Sequence, residues 1–142
     1  MTPDAVFQIA NTTALVGWAV LLGSPLFPII ADRIAAYAIP LLLSVVYAGL
    51  ILAFWARGEG GFDSLDNVAR LFQTRELLLA GWIHYLAFDL FVGAWIVRKG
   101  RGESVPFLLV VPCLALTFLF GPAGFLTFAA IRAARAGRAA IA

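Results

Sequence analysis

The chain has 142 residues, 63% hydrophobic and 13% charged, with a mean hydropathy of +0.96. A soluble domain is roughly 45–50% apolar and about 25% charged, so the composition excludes an ordinary water-soluble fold and specifies an integral membrane protein. The net charge of +2 is too small for a nucleic-acid binder, and the basic residues fall in short loops, where they act as topology signals.

The sequence predicts an all-α polytopic bundle, one membrane domain over residues 1–142. Four transmembrane helices are expected at about 3–22, 34–55, 77–97 and 105–131, with a short amphipathic interfacial helix between the second and third. Thr2-Pro3-Asp4 reads as a helix start: a capping hydroxyl, proline at the first helical position, and an acid for the helix amino end. No Lys or Arg precedes the first apolar run and no small-x-small cleavage site follows, so the first helix is expected to serve as an uncleaved targeting signal. Gln8, Asn11 and Thr12 share one face and form a polar patch, either an interhelical hydrogen-bond site or a substrate contact.

Gly23-Ser24-Pro25 breaks the first helix, and Pro28 with Asp32-Arg33 reads as a turn at the membrane surface. The second helix, Ile34 to Trp55, should kink at Pro40. Trp55 suits an interface anchor, and Tyr47 an anchor or a pocket wall. Beyond the glycines at 58, 60 and 61, Phe62, Leu65, Val68, Leu71 and Phe72 recur at helical spacing among charges. This is the amphipathic helix, started by Ser64; it serves as a surface tether or as a lid over a lipid-facing pocket.

The third helix, Leu77 to Val97, carries the only histidine and an aspartate near its midpoint. Arg98-Lys99-Gly100-Arg101-Gly102 reads as the basic turn that ends it. The fourth begins near Ser104-Val105-Pro106, with serine as its cap, bends at Pro112 and bends or breaks at Gly121-Pro122. Arg132, Arg135 and Arg138 form a basic tail. Four crossings put both termini on one side, together with Arg57, Arg70, Arg75 and the tail, against Arg33, Arg98, Lys99 and Arg101 on the other. The small excess places the termini in the cytoplasm, for a chain that looks like a bacterial inner-membrane protein.

A carboxylate at mid-helix costs at least ~2.5 kcal/mol in lipid, so Asp89 should face protein or water and marks a functional candidate. Gly81, Tyr85, Asp89 and Gly93 form one ridge, with Trp82 near the same face. His84 lies about 140° around the helix from Asp89 and roughly 7.5 Å along it. The two either flank a ligand or point at different neighbouring helices. Burial favours a neutral acid at Asp89 and a neutral base at His84, a combination suited to proton transfer. Alternatively, Asp89 accepts hydrogen bonds from Tyr85, Asn11, Thr12 or amides freed by a proline. No catalytic triad, phosphate loop, nicotinamide fingerprint or metal spacing is present, and the lone cysteine, Cys113, reads as a buried apolar residue. With one histidine, bis-histidine haem ligation would need a dimer, so no cofactor is expected.

Gly81-Trp82-Ile83-His84-Tyr85-Leu86-Ala87-Phe88-Asp89-Leu90-Phe91-Val92-Gly93 resembles the signature of the abscisic-acid-deficient-four-like membrane family. So do Leu108 to Cys113, Thr117 to Gly124 and the Phe62-to-Phe72 segment, and the resemblance spans the first helix to the fourth. The plant member is associated with forming neoxanthin from violaxanthin, which opens a 5,6-epoxide and makes an allene without net redox change. The resemblance implies a cofactor-independent carotenoid isomerase with Asp89 as acid, His84 as base and Tyr85 orienting the oxygen. Trp82, Phe88 and Phe91 would line an apolar slot, with Asn11 as a further contact. The expected partners are membrane lipid and a carotenoid-like small molecule, and a homo-oligomer is allowed. The competing expectation is a non-catalytic pigment-binding or scaffold protein that supports another enzyme.

Overall fold

A computed structural model describes residues 2–139, with side chains through Gly137. Among the described residues all regular structure is helical. Helix α1 is Pro3–Leu22, capped by the Thr2 hydroxyl, which accepts from the Ala5 amide. Helix α2 is Pro28–Arg57, α3 is Leu65–Leu71, α4 is Arg75–Gly102, α5 is Phe107–Phe120 and α6 is Pro122–Ala139. As expected, Ser64 caps the amphipathic α3, accepting from the Asn67 amide.

Helix α2 starts earlier than the sequence predicts: Pro28 opens it, and Asp32-Arg33 lie inside it rather than in a turn. Pro40 explains the local geometry. It has no N–H to offer the carbonyl four residues back. The chain widens to a π-helix over Asp32–Ala38, ending with the Ile39 amide on the Ile34 carbonyl. Helix α4 also runs past its predicted end at Val97, because the basic 98–102 stretch continues the helix: Arg98 is held by Asp32 and by the Tyr37 hydroxyl, and Lys99 by Glu103. Ser104 caps nothing. It sits at φ 52° in the turn, and α5 starts at Phe107 after Pro106.

Helices α1, α2 and α4 are long and apolar enough to cross a membrane. Helix α1 runs parallel to α4, with Asp4 on Arg75, Asn11 on Trp82, Gly17 against Leu90 and Gly93 under the Trp18 ring. Helix α2 runs antiparallel, with Tyr37 at Arg98 and Gly58 against Leu77. Side chains such as Leu52 (87% exposed) and Leu108 (83%) point outward, an apolar surface suited to lipid.

The predicted fourth crossing at 105–131 is not one. Helix α5 has 14 residues, about 21 Å of rise against a hydrocarbon core of ~30 Å. At Gly121 (φ 42°) the chain reverses and α6 returns beside α5. Gly124 lies so close that a Cβ there would fall 2.4 Å from the Cys113 carbonyl oxygen and the Thr117 amide. Phe128, fully buried, packs over Gly100 and edge-on to Trp95. Arg132 makes a bidentate pair with Glu103, and Arg135 donates to the Ser104 carbonyl at 3.2 Å. The architecture is three membrane-length helices plus a helical hairpin that enters and leaves at the same end. The ends of the described chain therefore lie at opposite ends of α4, not on one side. The Arg138 side chain, assigned to the basic tail, lies outside the described residues.

Two outcomes are expected. Gly124→Ala presses a methyl onto the α5 backbone and should lower the thermal midpoint in detergent, at a cost of about 1–3 kcal/mol; Gly137→Ala, with nothing within 4 Å, should leave it unchanged. The Arg132 guanidinium holds the Glu103 carboxyl at about 2, below its ordinary 4.5. A depressed carboxyl contributes fully above its ordinary value and loses that contribution as pH falls toward the lowered one. A spin label at Ala133→Cys should therefore gain mobility between pH 4.5 and 2, and Glu103→Gln should make it mobile at every pH.

Candidate functional site

The hairpin turn meets α4 at its centre. Asp89 stands about 21 Å along α4 from Arg75, by helical rise. Its carboxyl lies against Gly121: a Cβ at that glycine would sit 2.6 Å from Asp89 Oδ1 and 3.2 Å from Cγ. Only glycine leaves that space, and only glycine takes its φ of 42° without strain. Asp89 Oδ2 is buried and has no hydrogen-bond partner. Neither Asn11 nor Thr12 reaches the carboxyl; Asn11 bonds the Phe7 carbonyl (2.8 Å) and the Trp82 indole N–H (3.1 Å) instead.

Tyr85, one turn before Asp89, solves a separate problem. Helix α5 ends at Phe120, and the residue that would donate to the Phe118 carbonyl is Pro122, which has no N–H. The Leu119 carbonyl is likewise orphaned by the reversal. The Tyr85 hydroxyl donates to these carbonyls, at 3.3 Å to Phe118 and 3.2 Å to Leu119. Trp82 packs on Tyr85 with ring centroids 5.3 Å apart, and Phe7 covers its other side at 5.8 Å. Asn11, Trp82, Tyr85 and Asp89 thus form one string on the side of α4 facing α1 and the hairpin.

His84, Phe88 and Phe91 face the other way. The His84 ring stacks on Phe88 at 4.6 Å and meets Tyr47 edge-on at 5.6 Å. With Trp55, Phe62 and Phe72 it lines a cleft of about 280 Å³ between α2, α3 and α4. Phe88 and Phe91 line a neighbouring cleft of about 220 Å³ with Tyr37, Pro40 and Ser44. Of the two arrangements that the spacing left open, the structure has His84 and Asp89 pointing at different neighbours. Among the described residues no three His, Cys, Asp or Glu side chains gather as a metal site.

The description "ABA DEFICIENT 4-like" belongs to a family model that matches residues 5–128. The chain belongs to this family. Protein ABA DEFICIENT 4, chloroplastic, from Arabidopsis thaliana is 21% identical over 132 residues, covering 87% of this chain and 59% of the plant protein. The chain therefore spans little more than half the length of that relative. No solved structure matches.

The family match takes in α4 and the hairpin tip, so Asn11, Trp82, His84, Tyr85, Phe88, Asp89, Phe91 and Gly121 all lie within it. Residues that sequence reasoning missed are Trp18 and Phe118. Their rings meet edge-to-face at 5.5 Å, and they wall an apolar groove of about 430 Å³ between α1 and α5. The signal for them was weak, since an aromatic in an apolar run reads as lipid-facing or core alike. The Gly121-Pro122 dipeptide did signal a break, but not that the break would be the partner of Asp89.

Proposed function

We propose that this ABA DEFICIENT 4-like protein handles a carotenoid-class polyene within the membrane and isomerises it without a cofactor, through Asp89 and Tyr85. The observation that carries this reading is a carboxyl at mid-membrane with one buried oxygen that no protein group satisfies. Leaving such an atom unpaired is costly, and it is retained one helix turn from Gly93, against which Trp18, a wall of the α1–α5 groove, packs. An epoxide oxygen brought there receives the Asp89 proton as its C–O bond breaks. The carboxylate then takes a proton from the adjacent polyene carbon, and that electron pair forms the new double bond of the allene. Protons and electrons balance, and the carboxyl is restored. Because His84 faces the α2 cleft, one carboxyl acting first as acid and then as base replaces the division of roles expected from the sequence. Tyr85, bound to the hairpin carbonyls, fixes the wall of the site.

A second reading has its own observation. Asp89 sits at the amino end of α6, where an acceptor stabilises a helix start. On this reading the carboxyl fastens the hairpin and the protein holds pigment unconverted.

The deciding experiment is expression in a bacterium that accumulates epoxy-carotenoids, followed by chromatography of the pigments. Wild type should yield an isomer of unchanged mass. Asp89→Asn, at equal abundance, should lower its yield about 100-fold or more, as expected for loss of a general acid. Equal conversion by both rules out Asp89 as the acid, and no conversion by either ends the catalytic reading; pigment co-purifying unconverted with both supports the second.

The hairpin also redistributes the basic residues between the two ends of the bundle. Arg33, Arg98, Lys99, Arg101, Arg132 and Arg135 now share one end of the bundle, against Arg57, Arg70 and Arg75 at the other. We place the basic end on the cytoplasmic side of a bacterial inner membrane. A membrane-impermeant maleimide should then label Glu59→Cys from outside intact cells and Ala136→Cys only after lysis; the reverse pattern would invert the orientation.

A further inference from the structure

At the basic end, the α1–α2 turn and the start of α5 enclose a cleft of about 320 Å³. Its walls are apolar, Pro25, Val97, Val105 and Phe107 among them, and its polar side chains are Ser24 and Arg101. Ser24 is 1% exposed, and its hydroxyl has no hydrogen-bond partner. A buried hydroxyl left unpaired is a standing cost that an incoming ligand atom would remove. The carboxylates at this end are already engaged, Asp32 by Arg98 and Glu103 by Lys99 and Arg132. Among the described residues Arg101 has no acidic partner, so the cleft carries an uncompensated cation beside an unsatisfied hydroxyl.

We propose that this cleft binds the phosphate of an anionic glycerophospholipid. Arg101 presents a planar fork of donors matched to phosphate oxygens, and the Ser24 hydroxyl donates a further hydrogen bond. The apolar walls take the glycerol and upper acyl region, a part that inorganic phosphate lacks. The location fits: Ser24 follows the end of α1 and Arg101 lies in the last turn of α4, where head groups meet the helix ends. Uncompensated positive charge selects an anionic head group over phosphatidylcholine, whose ammonium it would repel. The site stands roughly 18 Å along α4 from Asp89 and does not depend on the chemistry proposed there.

The test uses the full chain in a neutral detergent, titrated with dioctanoyl phosphatidylglycerol, dioctanoyl phosphatidylcholine or sodium phosphate while the thermal midpoint is followed. Phosphatidylglycerol should raise the midpoint saturably, and the other two should not. Arg101→Gln should weaken the phosphatidylglycerol response about tenfold or more, as should Ser24→Ala, by loss of charge-assisted hydrogen bonds. Arg101→Lys, which keeps the charge without the fork, should fall between. Equal responses to the two lipids, or unchanged affinity in Arg101→Lys and Ser24→Ala, would overturn the proposal even where Arg101→Gln fails to accumulate. An equal response to sodium phosphate would overturn it in favour of a free-anion site.

Discussion

The contact between Asp89 and Gly121 sets the architecture. A chain that enters the membrane as α5 and leaves as α6 must reverse where no water can satisfy its backbone. Glycine at 121 supplies the left-handed φ and the space for a carboxyl, and proline at 122 cannot continue the preceding hydrogen-bond ladder. Once the chain turns, Gly124 lets α6 lie directly on the backbone of α5, and Phe128 fills the space over Gly100. The outer end is fastened by Glu103 and Arg132, far apart in sequence but adjacent because the helices run antiparallel.

This explains which parts of the fold were legible in the sequence. Local signals were read correctly: Thr2 and Ser64 as caps and Cys113 as a buried residue; of the two readings left open for Asn11, the structure shows the interhelical contact, to Trp82. Hydropathy found the apolar stretch from 105 to 131 but could not give its direction. An apolar side chain has the same reason to be apolar whether its helix crosses the bilayer or turns back inside it. Gly121-Pro122 marked an interruption, while the reversal depends on Gly124 meeting Thr117 and on Arg132 reaching Glu103, contacts that no local pattern encodes. The π-helical stretch before Pro40 was hidden for a related reason: a missing amide can be met by a kink or by a wider turn, and packing against α4 decides. For the candidate site, the ridge of Tyr85 and Asp89 followed from spacing. Its separation from His84 required knowing that α2 and the hairpin lie on different sides of α4.

The reversal also redistributes charge. Counted as four crossings, the basic residues divide six to four; counted with the hairpin, those of the described residues concentrate at the end that holds Arg98, Glu103 and Arg132. Among the described residues, six of the nine basic side chains then share one end of the bundle with only Asp32 and Glu103 to offset them, and both acids are committed to pairs. One turn in the backbone thereby brings the basic residues of the hairpin to the end of the bundle that holds the Ser24–Arg101 cleft.

The tip of a reversing hairpin exposes two helix ends of opposite polarity: the orphan carbonyls of α5 and the amino end of α6. A donor is needed for the first and an acceptor suits the second. Tyr85 is the donor, and the Asp89 carboxyl, one turn further along α4, lies against Gly121 where α6 begins. Their order follows from the order of the two ends; exchanged, a carboxylate would face carbonyls and a phenol would face the start of α6. The hairpin therefore accounts for why α4 carries polar residues at its centre, and for why they are these two in this sequence. It does not account for Oδ2 of Asp89, which is buried and has no hydrogen-bond partner. That unpaired oxygen is the feature a substrate would use.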